Sequence, residues 1–168
     1  MRTAALAALV TLALATVTLL ALAGVCGGTG SVSVVGTPSP VNTVTLAVEN
    51  EEGKRVTITV EIADSPQERA TGLMNVAYLD EDYGMLFVYP EDTASGFWMK
   101  DTTIPLSIAF IAADGSILEM QDMEPLSVEL HRPAQAYRYA LEVNQGWFER
   151  HGLGAGDRAE IPADATAE

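Results

Sequence analysis

Alternation of apolar and polar residues predicts two strands near the start of the folded region. In residues 43–48, valine and leucine alternate with threonine and alanine. In residues 55–62, valine and isoleucine occupy every second position, and a turn-type sequence from Asn50 to Gly53 separates the two runs. Two alternating runs around such a turn are typical of an antiparallel hairpin.

A short helix is predicted directly after this hairpin. Ser65 can cap the helix, Pro66 suits its first position, and Glu68 completes a capping box. Gly72 is a natural helix end, so the helix should stop at residue 71.

The middle of the chain predicts further strands. A continuous apolar run, 85–89, is short enough to be a buried strand, and Pro90 should end it. An Asp-Gly pair lies between the apolar runs 106–111 and 116–120. That arrangement predicts a second hairpin.

The last part of the pattern predicts a long loop at 121–135 and an alternating strand at 137–143. Asn144 can then cap a short helix that Gly152 ends, and a final strand is expected at 158–161.

These elements amount to about seven short strands and two short helices, and hairpin spacing dominates. The predicted elements lack the alternation of strands with long helices that a doubly wound sheet requires. The sequence therefore predicts an α+β fold that is mainly antiparallel β, as a small barrel-like or curled sheet.

The N-terminal segment predicts export. Residues 4–23 are uncharged and almost entirely apolar, and they follow Arg2. A positive end, an apolar run and small residues at 21–23 are typical of a secretory signal, although the run could also span a bilayer uncut. We expect 1–23 to be a signal peptide or an N-terminal membrane anchor, and the protein to be exported to the cell envelope or beyond.

The rest of the chain divides into a flexible linker at 24–42, a domain at 43–162 and a disordered tail at 163–168. Cys26 in the linker follows Val25, where a lipoprotein signal favours a smaller residue, so lipidation and an unmodified cysteine both stay open. Because Cys26 is the only cysteine, the sequence excludes an internal disulfide and a multi-cysteine metal site.

The charge of the chain bears on its partners. The formal net charge is −14, from 23 acidic and nine basic residues, and there is no basic run. Such a surface repels nucleic acid and anionic lipid. We expect no nucleic-acid partner, and contact with a membrane through the N-terminal segment alone.

The segment 96–106 places aromatic, basic and hydroxyl side chains close together. In an extended chain alternate side chains face opposite ways, which predicts Phe97 and Met99 in the core and Trp98 and Lys100 at a surface groove. An aromatic ring beside a lysine suits a ligand with an apolar body and an anionic group. In the structural alternative, Trp98 is a packed anchor and Lys100 pairs with Asp101 or Glu142.

Two residues outside this segment are further candidates. Arg69 can bind a carboxylate through two hydrogen bonds, or it can cap a loop carbonyl or pair with a nearby acid. Glu142 is predicted on the polar face of its strand, and a buried Glu142 would first be an ion-pair partner of Arg69 or Lys100. The candidate ligand-binding residues are Trp98, Lys100, Asp101, Thr102, Arg69 and Glu142.

Metal and cofactor chemistry find little support in the sequence. His131 and His151 match no metal-ligand or catalytic-triad spacing, and we expect no cofactor and no catalytic residue. Met120 and Met123 have a spacing that thioether ligands of copper(I) can have, so weak copper binding is an alternative.

The order and spacing of several motifs over residues 43–162 resemble the DUF192 family. The resemblance implies a compact, mainly β domain, often exported, without an established biochemical activity. The motifs that carry it are Glu68-Arg69-x-x-Gly72-Leu73-Met74, Gly84-Met85-Leu86-Phe87, Phe97-Trp98-Met99-Lys100-x-Thr102-x-Ile104-Pro105-Leu106, Leu141-Glu142 and Gly156-Asp157.

Two positions differ from the pattern of that family. Asp101 stands where the family usually has Asn, and Ser107 stands where it usually has Asp. A polar site built on those two residues is therefore in doubt in this chain.

Together these observations predict a non-catalytic domain that binds a small molecule, a cell-envelope component or a protein partner. The alternative is a hydrolase-like or other enzyme that uses Lys100, Arg69 and Glu142 in a cleft.

Overall fold

The computed structural model of the protein describes residues 42–167. The predicted signal peptide or anchor, Cys26 and all but the last residue of the predicted linker lie outside these residues. Within the part of the chain that is described, no helix is long and apolar enough to cross a membrane.

Seven strands and two short helices make up the domain, and this confirms the predicted fold class. The strands are β1 (Thr43–Glu49), β2 (Arg55–Ala63), β3 (Tyr83–Thr93), β4 (Leu106–Ile111), β5 (Ile117–Met123), β6 (Tyr137–Asn144) and β7 (Arg158–Glu160). The helices are α1 (Pro66–Thr71) and α2 (Trp147–His151).

The strands form one curled sheet in the order β5-β4-β6-β3-β2-β1-β7. Every pairing is antiparallel except that of β2 with β3, which are parallel and are connected through α1. The two edges of the sheet approach each other, because Ile117 N donates to Asp157 O at 2.8 Å and Ala159 N donates to Gly115 O at 2.8 Å. The result is a half-barrel.

One apolar core fills the inside of the curl. It takes side chains from all seven strands, and Trp147 and Phe148 of α2 pack into it. Ala165, within the predicted tail, is also buried in this core.

A second apolar layer covers the outer face of the central strands. Its members are side chains of β2 to β6 together with loop residues, among them Leu73, Leu79, Phe97 and Met99. Because both faces of the central strands are covered, β4 is buried at every position. A cleft that opens in this outer layer is described below.

The start of α1 has the predicted capping box. The Ser65 hydroxyl accepts from Glu68 N at 3.2 Å, and the Glu68 carboxylate accepts from Ser65 N at 3.1 Å. The hydrogen bonds that the Ser65 backbone N–H and hydroxyl donate to the Glu68 carboxylate lower the pKa of Glu68. Gly72 ends the helix at a φ of 49° and a ψ of −138°, which a side chain would disfavour.

Ser65→Ala should cost about 1 kcal/mol of unfolding free energy, because the Glu68 backbone N–H loses its acceptor and the Glu68 carboxylate loses the hydrogen bond from the Ser65 hydroxyl. Denaturant unfolding of the variant would measure this loss. Gln67→Ala is the matched control on the same helix, and it should change stability by less than about 0.5 kcal/mol. Equal effects of the two substitutions would show that the cap contributes nothing specific.

Three local predictions were wrong. Pro90 does not end β3, which continues to Thr93 through an irregularity between Val88 and Thr93 where proline is tolerated. β5 extends to Met123, into the predicted loop. Gly146, in a left-handed conformation, begins α2, whereas the Asn144 amide donates to Leu79 O and Asp80 O instead of capping the helix.

Candidate functional site

A cleft of about 220 Å³ opens in the outer layer, between the end of α1, the segment around Trp98 and strands β3 and β6. Four of the six candidate residues line it: Arg69, Trp98, Thr102 and Glu142. The other lining residues are Ala70, Thr71, Gly72, Leu73, Met74, Phe87, Tyr89, Gly96 and Phe97.

The segment carrying Trp98 is extended and held by a neighbouring loop. Phe97 exchanges two backbone hydrogen bonds with His131, at 2.9 and 2.8 Å, and Met99 N donates to Ser127 O at 2.9 Å. As the alternation predicts, Phe97 and Met99 are buried, whereas Trp98 is 44% exposed. The indole ring therefore forms one wall of the cleft and also faces solvent.

Lys100 and Asp101 do not line the cleft. They are exposed and face each other, with Nζ 3.9 Å from the Asp101 carboxylate. The Lys100 ammonium also lies 5.6 Å from the centre of the Trp98 ring. Asp101 has a φ of 56°, a left-handed conformation that Asn adopts readily. This turn conformation gives a structural reason for the Asn that the family usually has at position 101.

Arg69 reaches from α1 to the wall of the cleft. Its Nη1 donates to the carbonyl oxygens of Asp64 and Val88, the latter at 2.8 Å. The guanidinium carbon lies 5.3 Å from the centre of the Tyr89 ring. Within residues 42–167, no carboxylate is within ion-pair distance of Arg69, and its Nε and Nη2 have no hydrogen-bond partner. One edge of the guanidinium is thus fixed, and the other is free.

Glu142 forms the floor of the cleft. It is only 4% exposed, and its strand neighbours are Met85 in β3 and Ile108 in β4. The prediction of a polar strand face was wrong, because α1 and the adjoining loops cover this face and make it apolar. A β-carbon on Gly72 would lie 4.0 Å from Glu142 Oε2, so the carboxyl group points toward the end of α1.

The carboxyl group of Glu142 has no partner in the part of the chain that is described: no hydrogen bond and no ion pair reaches it. The expected ion pair with Arg69 or Lys100 is therefore not formed. Burial raises the pKa of Glu142 to about 8, since the charged form loses its hydration without compensation. At neutral pH the group is mostly a neutral acid that can both donate and accept.

Two hydroxyl groups complete the polar lining. Thr102 is buried, and its hydroxyl makes one long contact, 3.4 Å, to Lys100 O. Tyr89 is half-buried, and burial raises the pKa of its hydroxyl. Tyr89 was not predicted as a site residue, because it only continues the apolar run of β3.

Ser107 lies away from the cleft, on the face of β4 opposite to Ile108. Its hydroxyl donates to the Asp122 carboxylate across the strand pair and accepts from Gly146 N at 2.9 Å. The side chain at position 107 therefore contacts the start of α2, and it does not line the cleft.

The two methionines considered for copper lie on opposite faces of β5. Met120 packs against the inner core, whereas Met123 is buried in the outer layer. Two thioethers so placed cannot bind one ion, which overturns the copper alternative. Among the described residues, no group of three or more His, Cys, Asp or Glu side chains is placed to hold a metal ion.

The protein is thus a small curled β domain with a cleft on the outer face of its sheet, and a polar side chain, that of Glu142, forms the floor of the cleft. The chain belongs to the DUF192 family, whose model, described as Uncharacterized ACR, matches residues 47–161. No curated protein matches the chain.

Two solved structures are similar over most of the domain. A protein of Sinorhizobium meliloti 1021, provisionally described as a transcription regulator, is 34% identical with a TM-score of 0.70, over 71% of this chain and 94% of that one. A protein of unknown function from Novosphingobium aromaticivorans DSM 12444 is 30% identical with a TM-score of 0.70, over 76% of this chain and 91% of that one.

Proposed function

We propose that this protein is an exported, non-catalytic domain that binds a small molecule in the cleft between α1 and Trp98. The observation that carries the proposal is Glu142, a buried carboxyl group that faces the cleft and has no partner in the described chain. The protein offers this group no hydrogen-bond partner, and a ligand in the cleft that bonds to it would supply one.

The rest of the lining supports the same proposal. Arg69 offers free N–H groups, and Thr102 and Tyr89 offer hydroxyls beside the exposed ring of Trp98. A few converging polar groups among aromatic side chains are typical of small-molecule sites. The volume of about 220 Å³ is below the ~300 Å³ of usual drug-sized sites, so the ligand is small or is the end of a larger molecule.

Export is proposed from the N-terminal sequence. The apolar run 4–23 after Arg2 is the basis for this, and it would place the cleft in the cell envelope or outside the cell. Contact with the membrane would then go through the N-terminal segment.

We propose no role in transcription, although the similar Sinorhizobium meliloti protein is provisionally described as a transcription regulator. A formal net charge of −14 opposes binding to a phosphate backbone.

An enzyme remains the second candidate, and one observation favours it. A carboxyl group with a pKa near neutrality is suited to general acid or base catalysis. However, Lys100, one of the three residues that this alternative needs, lies outside the lining and beside Asp101. For this reason we favour binding.

Native mass spectrometry of the protein purified from its own host would test the proposal. We expect a retained small molecule in the wild type. Ala70→Trp, which fills the cleft from an exposed position on α1, should abolish the retained mass. Gln67→Trp, on the same helix but outside the lining of this cleft, should leave it.

Absence of a retained molecule in both wild type and the Gln67→Trp control would count against a tightly bound ligand. A retained mass that survives Ala70→Trp would place the ligand elsewhere. Turnover of the released molecule on prolonged incubation would favour the enzyme.

A further inference from the structure

The chemistry of the cleft narrows the class of ligand, on the premise that the proposed binding function holds. We propose that the cleft takes a small organic carboxylate with an apolar body, whose carboxylate group lies between Arg69 and Glu142 and whose apolar part lies against Trp98.

The first argument is the free edge of Arg69. Because Nη1 is already bound to two carbonyl oxygens, Nε and Nη2 are the nitrogens left without a partner. These two N–H groups lie side by side on one edge of the planar guanidinium group. Their spacing matches the two oxygens of a carboxylate, which is the geometry of strong two-point recognition.

The second argument is local charge. In a chain with only nine Lys and Arg residues, three lie at or beside the cleft. Arg69 lines it, Lys100 lies against the ring of Trp98, and Arg132 packs on Gly96, where a β-carbon would be 2.9 Å from its side chain. The Asp101 carboxylate offsets the charge of Lys100. Arg69 is therefore the cation that lines the cleft itself, and it favours an anion there.

The third argument is the state of Glu142. As a neutral acid, its O–H can donate to an oxygen of the ligand, so the floor of the cleft adds a donor and no repelling charge. A cationic amine would instead need the ionised carboxylate, which burial disfavours, and would lie near Arg69.

The apolar part of the ligand follows from the remaining walls. Leu73, Phe87 and Phe97 line the cleft together with the half-exposed Trp98 ring. At ~30 Å³ for each water molecule, the cavity of about 220 Å³ holds roughly seven waters. A carboxylate attached to one ring or a short chain fits this volume.

Calorimetric titration of the full chain in mild detergent would test this inference. The probes are phenylacetate, its neutral analogue phenylacetamide, its cationic analogue phenethylamine, and glucose. We expect phenylacetate to bind and the other three to bind at least about tenfold more weakly, since each lacks the carboxylate that Arg69 recognises.

Two pairs of variants assign the effect to the proposed residues. Arg69→Gln should weaken phenylacetate binding by about tenfold or more, whereas Arg150→Gln should not. Arg150 is the matched control, because it also lies in the last turn of a short helix and donates to a backbone carbonyl.

Glu142→Gln separates a role in binding from a role in folding. Its amide can still donate to the ligand, so binding at neutral pH should be kept. In the wild type, affinity should fall as pH rises above about 8, because the deprotonated Glu142 repels the ligand. That fall should be absent in Glu142→Gln and present in a Glu61→Gln control.

The outcomes separate this inference from the function it rests on. The carboxylate inference is overturned if phenylacetate does not bind but phenethylamine or glucose does. If Ala70→Trp then blocks binding of that other probe, the cleft is still a ligand site. If no probe binds and the protein from its host retains no molecule, both fail. Phenylacetate binding that is unaffected by Arg69→Gln also overturns the inference.

Discussion

Glu142→Gln should be more stable than the wild type at pH 8 and above. Between pH 4 and pH 8, the unfolding free energy of the variant should gain up to about 5 kcal/mol relative to that of the wild type. The pKa of Glu142 rises from its ordinary value of 4.5 to about 8 in the folded protein. The unfolded chain therefore releases this proton at a lower pH than the folded one does. At ~1.4 kcal/mol for each pH unit between the two values, the wild type loses stability as pH rises through this interval.

The direction of this change in stability follows from the number of protons that the folded and unfolded states bind. Below pH 4.5 both states keep the proton, so Glu142 costs nothing that depends on pH. Between pH 4.5 and about 8 the folded state holds more protons than the unfolded state, and unfolding becomes easier as pH increases. Above about 8 the loss is complete.

Denaturant unfolding of both proteins from pH 4 to pH 9 would measure this difference. Other carboxylates titrate in the same range, and subtracting the variant from the wild type removes their common contribution. Glu61→Gln is a control for which a smaller effect of pH on stability is expected. The pKa of Glu61 is also raised by burial, but its side chain is only half-buried, so the effect should have the same sign and a smaller size. Parallel curves for wild type and Glu142→Gln would contradict the account.

Gly84→Ala should destabilise the domain by about 3 kcal/mol or more, and it should disturb the cleft as well. A β-carbon at this position would lie 2.5 Å from the backbone oxygen of Glu142 and 3.0 Å from a methyl carbon of Val143. Since the first contact is backbone, no side-chain rotation relieves it. β3 and β6 would have to separate at the point where Glu142 is held.

Gly154→Ala is the matched control for this substitution. Nothing lies within 4 Å of its β-carbon position, so stability should change by less than about 0.5 kcal/mol. Thermal and denaturant unfolding would compare the two. If Gly84→Ala is as stable as Gly154→Ala, the close approach of β3 to β6 is not the reason for a glycine at this position.

Most of the fold was predictable from local sequence patterns. The first hairpin formed where alternating runs met a turn sequence, and the second where an Asp-Gly pair separates two apolar runs. The capping box of Ser65 placed α1 correctly. All three signals act over a few residues. The parallel pairing of β2 with β3 depends on how α1 lies on the sheet. The sequence has no short-range signal for that contact.

The candidate site was predictable only in part. Alternation in an extended segment was sufficient to expose Trp98 and bury its neighbours. The burial of Glu142 was not predictable, because a glutamate in an alternating strand ordinarily faces solvent. Its environment comes from α1 and distant loops that cover the outer face of the sheet, and the same cover brings Arg69 and Tyr89 to one cleft.

Whether Glu142 is a buried neutral acid that binds a ligand can be tested by a carbon-13 NMR titration of its side-chain carboxyl, with and without phenylacetate. We expect a pKa near 8 for Glu142 without ligand and a change in its carboxyl signal when phenylacetate binds. A carboxyl that titrates near its ordinary value of 4.5, with a signal that no ligand moves, would contradict this expectation.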